Sequence, residues 1–246
     1  FLHAREIITM PPQPVNVILM PEFQRGVAVA YLDAPGPLER NLGSFYAVSP
    51  IPDDWTEEQT TSFLREYNNR GILDIAVHES SPGHYVQLWH SNAYPSVLRA
   101  VLSSGSFVEG WAVYAEEMMI EQGFRAGDPL YRLSQLKVQL RTITNAIIDQ
   151  AIHVDGMTQE EMMHLLTQTA FQEEREAAGK WRRAQLSFTQ LSTYFVGFQE
   201  HLETRAEAQR RWGADFNLKR YHDGILSFGS PPGRFARQLL LDEPIQ

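Results

Sequence analysis

The chain has 246 residues, 43% of them hydrophobic, which suits one large folded unit and is too apolar for a disordered chain. Its formal charge of -9 excludes an extended nucleic-acid-binding surface, which needs an excess of Lys and Arg. It has no cysteine, so disulfides, a cysteine-held zinc knuckle and a thiol nucleophile are excluded, and any bound metal must take its donors from His, Asp and Glu.

Phe1 to Glu6 read as the middle of a helix and not as a signal peptide, which implies that the chain begins inside a longer protein. Its compartment therefore stays open between cytoplasm, periplasm and a lipid-anchored form. No apolar run reaches the ~18 residues of a membrane span. Residues 1–55 are rich in proline, and the apolar runs Val15–Leu19, Val27–Tyr31 and Phe45–Val48 between the prolines predict short strands.

From residue 56 to 246 the pattern is helical. Thr56 with Gln59 is a capping box that opens a helix to about Asn69. Ile72–Ser91 and Phe107–Gln122 follow, the latter ended by Gly123. Leu130–His153 repeats apolar residues at Leu133, Leu136, Leu140, Ile143, Ile147 and Ala151, at helical spacing. Thr158 with Glu161 is a second capping box, with Met157 stapled onto Met162, and its helix is expected to reach Ala178. Phe188–Arg211, Leu218–Phe228 and Arg234–Leu241 complete the series. The Glu173–Glu176 run reads as a solvated helix face. The expectation is a single, mainly α domain with a small N-terminal β element.

The chemistry gathers in His78-Glu79-Ser80-Ser81-Pro82-Gly83-His84. Zinc peptidases usually place two His four positions apart on one helical face, with a Glu between them to act on the metal's water. Here the interval is six, which on a regular helix splays the two rings by about 120°. Pro82 and Gly83 predict a break or bulge that brings His84 back beside His78. Further on, Glu109 sits in the apolar segment Phe107–Glu117, where an unpaired carboxylate is costly unless a metal or a His offsets it. Glu116, two turns along the same face, is placed to accept the N–H of a ligating imidazole.

His-Glu-Ser-Ser-Pro-Gly-His followed by Phe-Val-Glu-Gly-Trp-Ala-Val-Tyr-Ala-Glu-Glu resembles the bacterial family known as domain of unknown function 885, whose signatures are HExxPGH and EGWxxYxE. That family in turn resembles the mainly helical zinc peptidases of the thimet-oligopeptidase and angiotensin-converting-enzyme group. The likeness implies a helical zinc-peptidase-like catalytic domain. Its implied ligands for Zn2+ are His78, His84 and Glu109, with Glu79 as general base. It extends through Arg141, Asp149 and His153, through Ser192–Gly197, and through Tyr221–Asp223 to Gly229, covering about residue 25 to the C-terminus. Members show a Pro-Gly-Gln stretch shortly before the Tyr, where this chain has Ala184-Gln185-Leu186-Ser187. They also run to about twice this length, which implies an upstream helical half, or a partner chain, that completes the substrate cleft.

Arg141, Asn145, Asp149 and His153 form a polar file at successive i+4 positions. One reading is a structural ladder of hydrogen bonds and an ion pair. The other, helped by the resemblance, sets Arg141 and His153 at the cleft, holding substrate carboxylate or carbonyl groups. Tyr194 is either a buried aromatic or, following the family pattern, a donor to the oxyanion that forms when water attacks a peptide carbonyl. His222, next to Asp223, is a second candidate donor or a local cap. Trp89-His90, His164 and His201 read as surface or packing residues.

These residues point to a zinc-dependent peptidase acting on peptide substrates by a Glu79-activated, metal-bound water. Two alternatives stand beside it. One is a metal-dependent hydrolase of a non-peptide amide; the other is a catalytically silent helical module that binds metal structurally. Three candidate protein ligands favour an enzyme, because structural zinc normally takes four.

Overall fold

In the computed structural model, which describes residues 1–26, 28–39 and 42–245, the N-terminal apolar runs pair as a three-stranded sheet. β1 (Asn16–Leu19) lies parallel to the central β3 (Phe45–Val48), and β2 (Ala30–Asp33) runs antiparallel on its other side. The middle run thus pairs later than Val27–Tyr31 predicts, and Val27 lies outside the described residues. That register turns the N–H of Leu32 away from β3 and onto the Glu79 carboxylate, at 3.0 Å.

The helices are α1 (Leu2–Arg5), α2 (Glu57–Glu66), α3 (Asn69–Glu79), α4 (His84–Asn92), α5 (Val97–Val101) and α6 (Gly105–Glu121), then α7 (Pro129–Gln150), α8 (Gln159–His164), α9 (Glu174–Leu186), α10 (Thr193–Trp212), α11 (Leu218–Leu226) and α12 (Gly233–Leu240). Both capping boxes form, Thr56 with Gln59 and Thr158 with Glu161. The chain is therefore mainly α with a small sheet at its N-terminal end.

Three expected helices are shorter than their patterns. Ile72–Ser91 divides into α3 and α4. The Thr158 helix stops after α8 and a π-helical turn over Leu165–Thr169, because Phe171 takes a left-handed conformation (φ 57°). Two residues later the N–H of Glu173 is drawn onto the Glu66 carboxylate at 3.0 Å. Residues 188–192 form a turn before α10, since Asp149 accepts the N–H groups of both Thr189 and Ser192 at 2.9 Å. These are long-range hydrogen bonds that overrule local periodicity. The acidic run is also not wholly solvated. Glu176 accepts from the Tyr67 hydroxyl at 2.6 Å and pairs with the buried Lys180. Burial opposes its charge, yet Arg141 and Lys180 hold its carboxyl at about 2.

At the centre lies α6, buried from Phe107 through Met119 on nearly every side. Its core cluster includes Leu2, Ile7, Ile8, Val86, Trp111, Tyr114, Tyr221 and Leu241, so it draws on both ends of the chain. A smaller cluster joins Ile148, Met162, Leu166, Ala177, Ala184 and Leu191, with Met157 packed against it beside Met162. α10 crosses α6 with backbone against backbone. A Cβ on Gly110 would lie 2.2 Å from the carbonyl carbon of Gly197, and one on Gly197 would lie 1.8 Å from the Ser106 oxygen.

Gly197→Ala is therefore expected to destabilise the fold by about 3 kcal/mol or more, because the obstructing atoms are backbone that cannot rotate away. Gly179→Ala, within α9 and with nothing inside 4 Å, should instead stabilise by about 0.5–1 kcal/mol. Urea unfolding of both variants separates the two effects, and a tolerant Gly197 would contradict the close crossing. Acid sensitivity follows from two buried imidazoles. Burial pushes His201 down to about 4 and His222 to about 3. Above pH 6.5 both are neutral folded or unfolded; below it the unfolded chain takes up protons first. Stability should fall by up to about 1.4 kcal/mol per pH unit per histidine down to pH 4. His201→Gln should flatten that decline in melting temperature measured against pH.

Candidate metal centre

α3 ends at Glu79 and α4 begins at His84, and the four residues between them interrupt the helix, with the Gly83 N–H returning to the Val77 carbonyl at 3.0 Å. The Ser81-Pro82 bond is cis. Gly83 fits only because it lacks a side chain, since a Cβ there would meet the carbonyl oxygens of His78 at 1.8 Å and Val77 at 2.4 Å. The Pro82 carbonyl, which this break leaves without a helical partner, accepts the indole N–H of the buried Trp111 at 3.0 Å. By this break His78 and His84 come together with ring centroids 4.8 Å apart.

Glu109, on α6, faces both rings. Its Oε2 lies 3.7 Å from Nε2 of His78 and 3.4 Å from Nε2 of His84. One donor atom from each of the three residues falls within 4.8 Å of the others. Two donors held about 2.0–2.1 Å from a tetrahedral ion stand roughly 3.4 Å apart, so the three atoms are close enough to share one small divalent ion. The side chains are 15%, 11% and 20% exposed, open enough for a small ion and its water to enter.

Nδ1 of His78 lies 2.6 Å from Oε1 of the buried Glu116. A carboxylate accepts, so Nδ1 carries a proton and donates it to Glu116, and Nε2 is the ring atom that faces Glu109. Behind this pair the buried Asp74, one turn before His78, accepts from the Tyr131 hydroxyl at 3.3 Å. Burial opposes charge on His78, but hydrogen bonds from Glu109 and Glu116 draw its pKa well above the usual imidazole value. Burial likewise disfavours the Glu109 anion, and bonding to His78 and His84 overrides this and holds its carboxyl far below the ordinary range.

Tyr194, near the start of α10, stacks towards His78 with ring centroids 6.3 Å apart. Its oxygen accepts from Nη2 of Arg183 at 3.0 Å and from Nε2 of Gln190 at 3.2 Å. Those two donors occupy both lone pairs and leave the phenolic hydrogen free to donate. Gln190 also reaches Glu109, at 3.4 Å. Neither Arg183 nor Gln190 stood out in the sequence. Gln190 lies four residues before Tyr194, just beyond the 184–187 stretch that stands in place of the family's Pro-Gly-Gln.

Four expected site residues lie outside this group. His222 is fully buried, with Nδ1–H on the Ile7 carbonyl and Nε2 accepting from Tyr114, both at 2.7 Å. It has no free donor for a substrate. His153 lies 2.9 Å from the carbonyls of both Ala184 and Ser187 and closes the end of α9. The Arg141 guanidinium pairs with buried Glu66, beside Lys137, and lies over the Tyr67 ring. The structural-ladder reading of the polar file is the one these contacts match. Asp149 acts at one remove, by tethering the 188–192 turn that carries Gln190. A cavity of about 100 Å3, lined by residues including Leu88, Tyr94, Arg99 and Gly229, borders none of the metal-centre residues.

The chain belongs to the family described as "Bacterial protein of unknown function (DUF885)", whose profile matches residues 2–240. No functionally curated protein matches it. Among solved structures, a "putative lipoprotein of unknown function" from Shewanella oneidensis is 42% identical, with a TM-score of 0.86 over 98% of this chain and 43% of its own. A "putative lipoprotein" from Colwellia psychrerythraea, 22% identical, shares the fold with a TM-score of 0.85 over 98% of this chain and 40% of its own. The chain thus spans less than half the length of these two proteins. Among the described residues, no helix is long and apolar enough to cross a membrane.

Because Glu109 and Glu116 favour the protonated form of His78, a divalent ion that binds there has a proton to displace. Zinc binding is expected to release roughly one proton per site near pH 7. Titration calorimetry in buffers of different ionisation enthalpy reads that number. Heats independent of buffer would mean that His78 is already neutral.

Proposed function

We propose that this chain carries the catalytic centre of a zinc-dependent peptidase. The observation that carries the reading is the convergence of two imidazole Nε2 atoms and one carboxylate at zinc-site spacing, with Glu79 beside them. Three protein donors leave a coordination position for water, as catalytic zinc sites do and structural ones do not. That count speaks against a silent metal-binding module. The likeness to the thimet-oligopeptidase and angiotensin-converting-enzyme group adds support from sequence.

His78, His84 and Glu109 would hold the ion, and Glu116 fixes the tautomer and direction of His78. Bound zinc would lower the pKa of its water towards ~7 and polarise the scissile carbonyl. Glu79 would be the base that holds a proton between the attacking water and the leaving amine. The N–H of Leu32 holds one oxygen of Glu79 and leaves the other for the proton. Tyr194, its oxygen occupied by Arg183 and Gln190, turns its hydrogen to the developing oxyanion, a contribution of ~2.7–4 kcal/mol where such donors have been removed.

Peptide is favoured over a non-peptide amide by the neighbourhood of Glu79. β2 is an edge strand whose Leu32 backbone N–H already reaches the Glu79 carboxylate. Because antiparallel pairing alternates, Ala30 and Leu32 turn their backbone groups outward on that edge. An extended peptide can add to such an edge as a further strand.

The purified chain should carry about one zinc per molecule, lost when His78, His84 or Glu109 is replaced by Ala. Glu79→Gln should keep the metal and lose hydrolysis by ~10²–10⁴-fold. Metal analysis alongside a peptide-library digest tests both. Full zinc retention in Glu109→Ala would remove that residue from the ligand set, and unchanged turnover in Glu79→Gln would end the mechanism.

A further inference from the structure

Helix α7 has its polarity reversed. Its inward face carries Tyr131, Gln135, Thr142, Asn145 and Asp149, all buried, while Leu133, Leu136, Ile143 and Ile147 on its outward face are 38% to 62% exposed. At 100° per residue those four fall within an arc of roughly 80°. A surface helix normally shows the opposite arrangement. Single exposed leucines are common, but an unbroken apolar stripe over about four turns is a contact surface. With half-buried Leu140 the stripe runs Leu133, Leu136, Leu140, Ile143, Ile147, at alternating intervals of three and four. That is the seam spacing by which one helix packs along another at a shallow angle.

A second observation says where such a helix would come from. The structure matches 98% of this chain but only 43% and 40% of the Shewanella and Colwellia proteins, so each of those carries more polypeptide beyond the shared unit than within it. We propose that the outward face of α7 is the seat of a helix from that additional polypeptide, packed lengthwise by its own apolar face. A second copy of this chain fits less well. The 15 residues from Leu133 to Ile147 span about 22 Å, and a stripe roughly 10 Å wide offers on the order of 220 Å2. Each partner in a stable complex contributes ~800 Å2. A segment of the same polypeptide needs far less, because linkage already holds it at high local concentration and little translational freedom is lost on docking.

The test compares two proteins of different length. Leu136→Glu with Ile143→Glu is made in this chain, and Glu is placed at the two aligned positions of the full Shewanella protein. In this chain the melting temperature should move by no more than about 2 °C, since both positions are exposed. In the longer protein it should fall by about 5 °C or more, because two carboxylates are forced into an apolar contact. Met at the same positions should leave both proteins unchanged, which separates burial from general fragility. Equal tolerance of Glu in the two proteins would overturn the proposal. So would light scattering that shows this chain to be a dimer split by Ile143→Glu, for the stripe would then belong to a second copy. None of these measurements involves zinc, so their failure leaves the peptidase reading as it stands.

Discussion

The crossing of α6 and α10, backbone on backbone at Gly110 and Gly197, is the constraint on which the rest of the molecule depends. Neither glycine is needed for an unusual backbone angle. Each is there because the neighbouring helix takes the space a methyl group would occupy. With the axes drawn this close, Glu109 on α6 and Tyr194 on α10 converge from different parts of the chain on the same few ångströms in front of His78. A wider crossing would separate the carboxylate from the phenol.

The same helix also repairs the break that makes the site possible. Joining His78 to His84 through a broken helix leaves the Pro82 carbonyl buried, and an unpaired buried carbonyl costs about 1–3 kcal/mol. Trp111, two residues after Glu109, supplies the missing donor. Glu116 sets the first imidazole, and Tyr114 ties into the core through His222. Glu109, Gly110, Trp111, Tyr114 and Glu116 thus serve as partner to both imidazoles, clearance, brace, tie and orienter on one rigid element. Their spacing is the spacing of those tasks around a helix.

Much of this was legible from residue types at short range. The six-residue interval between the histidines demanded a departure from regular helix, and Pro82-Gly83 supplied the means; Glu116 followed from its offset of seven from Glu109. What could not be read was settled by partners far away in sequence. His222 looks like a surface donor until Ile7, 215 residues distant, claims one nitrogen and Tyr114 the other. Arg141 and Glu66, 75 residues apart on α7 and α2, meet only once the chain has folded. Arg183 and Gln190 have no local pattern, because what qualifies them is a shared acceptor on Tyr194. The apolar periodicity of α7 identified a helix correctly. It could not say that the apolar side faces outward, since periodicity fixes a face and not its direction.

The small N-terminal sheet offers a different lesson, about what counts as a part. By composition, residues 1–55 look like a detachable leader to a helical body. Yet Leu32 holds Glu79, the Gln13 carbonyl receives the Tyr85 hydroxyl, the Thr9 carbonyl meets His90, and Thr9 also binds Asp223 near the far end of the chain. The first fifth of the sequence is laced across the remainder in the manner of a strap buckled at both ends. A gene fusion or exchange that cut at residue 56, where the proline-rich stretch gives way to helices, would part Glu79 from the strand that holds it. The unit that can be inherited, transplanted or redesigned intact is set by those ties, and it begins well upstream of the motif that advertises it.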